Sequence, residues 1–237
     1  MRIAMWSGPR NLSTAMMYAF GNRGDCAVVD EPFYAAYLAL TGLQHPMRAE
    51  ILESQSQDAA EVAQALLGPV PAAKPHFYQK HMTQHMIEGV PREWMREVTN
   101  VFLIRHPARV IASYAAKREN PVLDDIGFRQ QAELIELCRS WGQDPVVVDS
   151  HDIREDPEAK LDQLCDALGL PFSPKMLSWP QGGHPEDGVW APIWYGAVWN
   201  SSGFAGAEAP LPEVPDNLRP VLEAAMPYYE AMKTLKI

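Results

Sequence analysis

Five short apolar runs, with stretches at helical spacing between them, limit this chain more than any other feature of its sequence. The runs are Arg2–Trp6, Ala27–Asp30, Phe77–Lys80, Val101–Arg105 and Pro145–Asp149. They are too short for helices, and valine and isoleucine are frequent in them, which suits strands. Helical patterns occupy Ser13–Phe20, Glu50–Gln57, Ala60–Leu67, Arg92–Val98, Ala108–Lys117, Phe128–Trp141 and Asp156–Leu168. Strands that alternate with helices make βαβ units, and such units build a mostly parallel sheet covered on both faces. The expected fold class is therefore α/β, with about five strands in the middle layer of three. In sheets of this kind ligands bind at the carboxyl ends of the strands.

A length of 237 residues suits one domain, residues 1–237. Residues 171–215 break the pattern, being rich in proline, glycine and tryptophan with little periodicity. This segment reads as an irregular cover folded over the sheet edge or the site. The tail, Asn217–Leu235, reads as a closing helix interrupted near Pro227.

Composition removes several functional classes. The formal net charge is -10, whereas a nucleic-acid binder needs a positive surface. The same charge sets a condition on any anionic ligand, whose phosphates must meet a local cluster of basic groups and backbone N–H donors. No apolar run reaches the roughly 18 residues of a membrane-spanning helix. Arg2–Trp6 is followed at once by Gly8 and Pro9, unlike a secretory leader. Cys26, Cys138 and Cys165 are far apart and form no C-x-x-C pair, so buried free thiols are expected. Together these features point to a cytoplasmic protein without nucleic-acid or membrane partners.

Two strand ends carry candidate chemistry. Trp6-Ser7-Gly8-Pro9-Arg10-Asn11-Leu12-Ser13-Thr14 joins the first strand to a helix. A loop there presents backbone N–H groups at a helix N-terminus, which suits a phosphate. Ser13 and Thr14 can cap that helix and donate hydroxyls, and Arg10 adds a charged donor. At the fourth strand, Val101-Phe102-Leu103-Ile104 runs into Arg105-His106-Pro107-Ala108. An arginine thus leaves the sheet at its carboxyl end, and Ser113 follows it two turns into the next helix.

These segments resemble elements of the sulfotransferases that use 3′-phosphoadenosine-5′-phosphosulfate (PAPS). The pairing of Arg105 with Ser113 is similar to the element by which that family holds the 3′-phosphate. Pro9-Arg10-Asn11-Leu12-Ser13-Thr14 is similar to its 5′-phosphosulfate loop, P-K-S-G-T-T in many members. A third likeness lies in Val146-Val147-Val148, Ser150-His151-Asp152-Ile153-Arg154-Glu155-Asp156-Pro157 and Leu168-Gly169-Leu170-Pro171. The order and spacing of the three elements agree with the family over roughly residues 2–20 and 77–172.

The resemblance implies the family's P-loop, three-layer α/β fold in a divergent member of bacterial type. It also implies PAPS as co-substrate, no metal, and transfer of a sulfonate to a hydroxyl or amine of a small acceptor. Arg10 takes the place of the loop lysine at the bridging oxygen. Asn11, Leu12, Ser13 and Thr14 would hold the 5′-phosphate, and Arg105 and Ser113 the 3′-phosphate. Sulfonate transfer also needs a base for the acceptor proton. Gln79-Lys80-His81-Met82 is similar to the family's K-x-H element, which makes His81 the first candidate. His85, four residues on, and Glu31, in the turn Asp30-Glu31-Pro32-Phe33 after the second strand, are its rivals.

Other readings stay open on residues alone. His76, His81 and His85 invite a metal, but zinc sites need three or four ligands in tight geometry and no cysteine is near. A P-loop kinase of a small metabolite would need the G-K-[ST] signature, which is absent. A nucleotide-binding protein without catalysis can keep the same fold. In the late segment, Trp190 or Trp194 can stack on adenine or line an acceptor pocket.

Overall fold

The computed structural model describes residues 1–116 and 120–237. Its centre is a parallel sheet of five strands in the order β2-β3-β1-β4-β5. The strands are β1 (Arg2–Ser7), β2 (Cys26–Asp30), β3 (His76–Met82), β4 (Thr99–Ile104) and β5 (Val146–Asp149). β1 lies at the centre, paired with β3 on one side and β4 on the other. The chain fills one half of the sheet and then crosses over β1 to build the other. The strand order therefore reverses beside β1, where an α/β sheet opens a crevice for ligands.

Helices α1 (Ser13–Gly21), α2 (Tyr34–Thr41), α3 (Arg48–Ser54) and α4 (Ala59–Leu67) precede β3. Helices α5 (Pro107–Ala115), α6 (Leu123–Ile126) and α7 (Phe128–Ser140) lie between β4 and β5. They are followed by α8 (Ser150–Glu155), α9 (Pro157–Leu168), the short α10 (Ala191–Trp194) and α11 (Gly196–Trp199), and α12 (Arg219–Lys233). Successive strand residues face opposite sides, and two cores result. Trp6, Phe77, Phe102 and Val147 pack on one face against α4, α5, α7 and α12. Met5, Tyr78, Leu103 and Val148 pack on the other against α1 and α9.

The five strands and most helices match the expectation from sequence within a few residues. Lys117, the expected end of α5, lies outside the described residues. Arg92–Val98 forms only a 3₁₀ turn, Glu93–Glu97. Pro227 does not interrupt the closing helix, which runs through it from Arg219 to Lys233. Helix α2 has no counterpart in the sequence reading. Its first five residues, Tyr34 to Leu38, are all buried, so it lacks the polar face that gives an amphipathic helix its period. No helix among the described residues is long and apolar enough to cross a membrane.

Gly8 fixes how the loop after β1 leaves the sheet. A Cβ there would be driven into the carbonyl oxygen of Ile126, a backbone atom that cannot swing aside. Gly8→Ala is therefore expected to lower stability by roughly 1–3 kcal/mol. Urea unfolding of the two proteins at equal slope checks this.

Candidate active site

The loop after β1 reaches α1 through two residues in the left-handed region, Arg10 (φ 62) and Leu12 (φ 70). Such backbone is costly without glycine, by roughly 1–3 kcal/mol per residue, and it is kept where a site requires it. It also turns successive N–H groups inward, as in anion-binding nests. The expected cap differs. Leu12, not Ser13 or Thr14, is the N-cap, and no side chain bonds to the first turn of α1. Its N–H groups and the positive end of the helix dipole are left to a ligand. Pro9 to Ala15 all line a cavity of about 310 Å³, near the lower end of the roughly 300–1,000 Å³ usual for small-molecule pockets.

Arg10, Arg105 and Ser113 meet in the same cavity. Arg10 donates from Nε to Ser113 Oγ at 2.8 Å and from a terminal nitrogen to the Trp194 carbonyl at 3.2 Å. Arg105 donates to the carbonyl of Arg10 at 2.6 Å. Burial, and then the neighbouring charge of Arg105, hold the Arg10 guanidinium below its ordinary pKa. Two half-buried cations side by side favour an anion between them. Asn11 lines the cavity as well. Its Nδ2 donates to the Leu103 carbonyl at 3.2 Å and so pins the loop to β4.

The second group comes from the carboxyl ends of β2 and β3. In register, Asp30 stands opposite Lys80. Lys80 Nζ donates to Asp30 at 2.8 Å, to Glu31 at 2.6 Å and to Tyr195 Oη at 2.6 Å. Tyr195 Oη also lies 2.7 Å from Asp30 and 3.2 Å from Glu31, and it accepts from Trp190 Nε1 at 3.0 Å. Burial pushes the Glu31 carboxyl above its ordinary range, with Lys80 only partly offsetting it and Asp30 adding to the rise. Burial alone would lower Lys80, but the charges of Asp30 and Glu31 leave it raised. Glu31 has φ 40, again left-handed, and its side chain together with Lys80 and Tyr195 lines the cavity.

His81 is not brought to the cavity. Adjacent strand residues point to opposite faces, so the Lys80 that reaches the site sends His81 into the far core. There its ring stacks on Trp6 at 4.4 Å and packs near Phe33 and Trp94. It is 1% exposed, and burial followed by the charge of Lys80 pulls its pKa down to about 3. A K-x-H spacing would put lysine and histidine on one face, whereas the adjacent pair here divides them. His85 does line the cavity, with its ring stacked between Tyr34 and Tyr37 at 4.7 Å from each. Burial holds its pKa well below the ordinary value. Among the described residues no group of three His, Cys, Asp or Glu side chains could hold a metal ion. The three cysteines are buried and free.

Residues of the irregular late segment form the cavity's outer wall, Trp194 and Phe204 among them. Trp194 lies parallel to Tyr114 with ring centres 6.4 Å apart. Trp190 is instead 1% exposed and packs in a small core with Tyr34, Leu38 and Ile51. Sequence reasoning missed Asp30, Lys80 and Tyr195 as a unit. The nearest signal was that charged residues, Asp30 and Lys80, close two of the runs read as strands from sequence.

Comparison with known proteins bears on this site. A family model described as "Sulfotransferase domain" matches residues 1–236. Two proteins of Arabidopsis thaliana, branched-chain-amino-acid aminotransferase-like proteins 1 and 2, are 36% and 35% identical over 98% of this chain. The chain spans 41% of the length of each. The fold is similar to a sulfotransferase domain from the curacin biosynthetic pathway, with TM-score 0.52, 19% identity, and coverage of 95% of this chain and 97% of that one. It is similar also to a sulfotransferase domain from the Synechococcus PCC 7002 olefin synthase, with TM-score 0.51, 19% identity and coverage of 94% of each chain. A sulfotransferase from Alicyclobacillus acidocaldarius has TM-score 0.51 at 11% identity, covering 98% and 94% of the two chains.

Proposed function

The chain belongs to the sulfotransferase-domain family, and from that membership we propose that it moves a sulfonate from PAPS to a hydroxyl or amine of a small acceptor. Residues 1–237 act in this reading as one catalytic unit, with 171–215 as its cover. The observation that carries it is the convergence, in one cavity, of an uncapped helix N-terminus, two arginines and a buried carboxylate–lysine pair. PAPS supplies an activated sulfonate on a phosphate leaving group.

Each residue then has a physical task. Backbone N–H groups of Leu12 to Thr14 and the Ser13 and Thr14 hydroxyls hold the 5′-phosphate. Arg10 offsets the negative charge that grows on the oxygen joining phosphate to sulfur as that bond breaks. Ser113 fixes the Arg10 fork through the bond at Nε, so the charge is in place before reaction. Arg105 faces the 3′-phosphate. Glu31 takes the acceptor proton, since it is the cavity carboxylate whose raised pKa makes it the stronger base. Lys80 and Tyr195 hold Glu31 in position. Aromatic walls from Tyr34, Tyr114 and Trp194 suit a small acceptor with apolar surface.

A thermal-shift titration without metal tests the reading, comparing adenosine 3′,5′-bisphosphate with ADP and with ATP plus Mg²⁺. Selective stabilisation by the 3′,5′-bisphosphate is expected. Arg105→Ala should weaken the 3′,5′-bisphosphate by about 1–3 kcal/mol, as for a lost charged hydrogen bond, and adenosine 5′-phosphate far less. Stabilisation by ATP and Mg²⁺ alone would support a kinase instead, and equal weakening of both adenosine ligands would remove Arg105 from its role.

A further inference from the structure

Glu208 has a side chain that is 1% exposed, yet it sits in a stretch whose neighbours Ala205, Gly206, Ala207, Ala209 and Pro210 are all exposed. Its carboxylate is enclosed by three arginines from three elements. Arg105, at the end of β4, bonds to Oε1. Arg154 of α8 reaches Oε1 at 3.1 Å, and Arg109, in the first turn of α5, reaches Oε2 at 2.9 Å. His151 Nδ1 stands 3.8 Å from Oε2. Burial by itself would raise the Glu208 carboxyl, but Arg105, Arg109 and Arg154 outweigh it and hold it below the usual carboxylate range.

One carboxylate cannot neutralise three guanidinium groups. Two more observations show where the surplus charge faces. The buried Nε of Arg105 has no partner among the described residues. Arg105 and Arg154 both line the cavity described above. In a chain of net charge -10, three clustered arginines that meet one carboxylate are a site built for something more negative.

The same arginines also hold the main chain on either side of Glu208. Arg154 donates to the carbonyls of Ala205 at 3.3 Å and Gly206 at 2.7 Å, and Arg109 donates to that of Ala209 at 2.5 Å. Residues 205–210 thus form a strap fastened by the groups its carboxylate occupies.

We propose that Arg105, Arg109 and Arg154 together form a subsite for a dianionic phosphate, and that Glu208 is its internal competitor, displaced when the phosphate enters. The identification of that phosphate as the donor's 3′-phosphate rests on the PAPS reading. Three arginines offer six or more N–H donors in forked geometry, which matches three phosphate oxygens better than two carboxylate oxygens. A dianion also balances the cluster's charge more fully than Glu208 does. The strap is then released as the donor binds. Apparent donor affinity is reduced by the share of molecules in which Glu208 holds the subsite.

Calorimetric titration of the full chain and of Glu208→Gln, with three probes, tests this. Removing the competitor should tighten adenosine 3′,5′-bisphosphate and inorganic pyrophosphate by about tenfold or more while leaving adenosine 5′-phosphate within about twofold. Without anion the variant should melt at a lower temperature, because its arginines repel one another, and bisphosphate should restore it. A purely structural Glu208 would give the loss of stability without the gain in affinity. Unchanged or weaker binding of both bisphosphate and pyrophosphate overturns the proposal. If no adenosine ligand binds either protein while pyrophosphate still binds the variant more tightly, the competition stands and the PAPS reading falls. Glu208→Asp, whose shorter side chain loosens the same contacts, provides the affinity comparison should Glu208→Gln fail to fold.

Discussion

Glu31→Gln is expected to slow sulfonate transfer by about 10²–10⁴-fold, the usual worth of a positioned general base. Glutamine keeps the size of the side chain and a carbonyl oxygen to accept from Lys80, so the fold and donor binding should survive. What it removes is the negative charge that makes the carboxylate basic enough to take a proton. The pH profile separates this from a loss of position. Glu31 must be ionised to act, and burial has raised its pKa. The rate should therefore climb with pH through a limb lying above the ordinary carboxylate range, and that limb should vanish in Glu31→Gln. His81→Ala is the contrasting variant. With its ring stacked on Trp6 in the core, its loss should cost about 2–5 kcal/mol of stability by leaving a cavity, yet spare transfer by the molecules that remain folded. If His81→Ala abolishes transfer at temperatures where it is fully folded, the assignment of the base to Glu31 is wrong.

Arg10→Ala is expected to lower kcat by about 10²–10³-fold, as for removal of one donor to a developing oxyanion. The effect should fall on the rate more than on the affinity for adenosine 3′,5′-bisphosphate, because the charge Arg10 meets is fully developed only as the leaving bond breaks. Arg10→Lys should recover part of the loss, since it keeps the charge but gives up the fork that bonds Ser113 and the Trp194 carbonyl. Single-turnover kinetics beside equilibrium binding distinguishes the two effects. Equal losses in binding and rate would make Arg10 a binding residue only.

The parts of this molecule that sequence revealed are those with a local signature. The strands were legible because each is a short apolar run, and the loop at Pro9–Thr14 and the Arg105–Ser113 pair were legible because they sit at strand ends. Structure brings all of these to one cavity. What escaped notice depends on packing between distant segments. His81 looked like a base because it follows a lysine. Strand alternation decides otherwise, because neighbours such as Lys80 and His81 point to opposite faces of a sheet. Helix α2 was invisible because Tyr34–Thr41 is apolar almost throughout, even at its exposed end, and so shows no period. The partnership of Tyr195 with Asp30, Glu31 and Lys80 joins residues 115 or more positions apart, and no pattern within a window of sequence encodes it. Glu208 was unremarkable as one acidic residue among 30. Its meaning comes only from the three arginines around it.

The same separations have a consequence for how the protein comes into being. Arg10 meets the Trp194 carbonyl across 184 positions, and Arg105 meets Glu208 across 103. During synthesis the whole sheet can pair once β5 has emerged, before either Tyr195 or Glu208 exists. At chain growth of about 5–20 residues per second, an interval of several seconds separates a folded sheet from a finished site. Over that interval Lys80 and its two carboxylates lack their tyrosine, and the arginine cluster lacks its carboxylate. A nascent chain at that stage has its strands but not yet α12, which completes the core on one face, and its crevice is open and highly charged. Free nucleotide present at that stage would meet the arginines before Glu208 does.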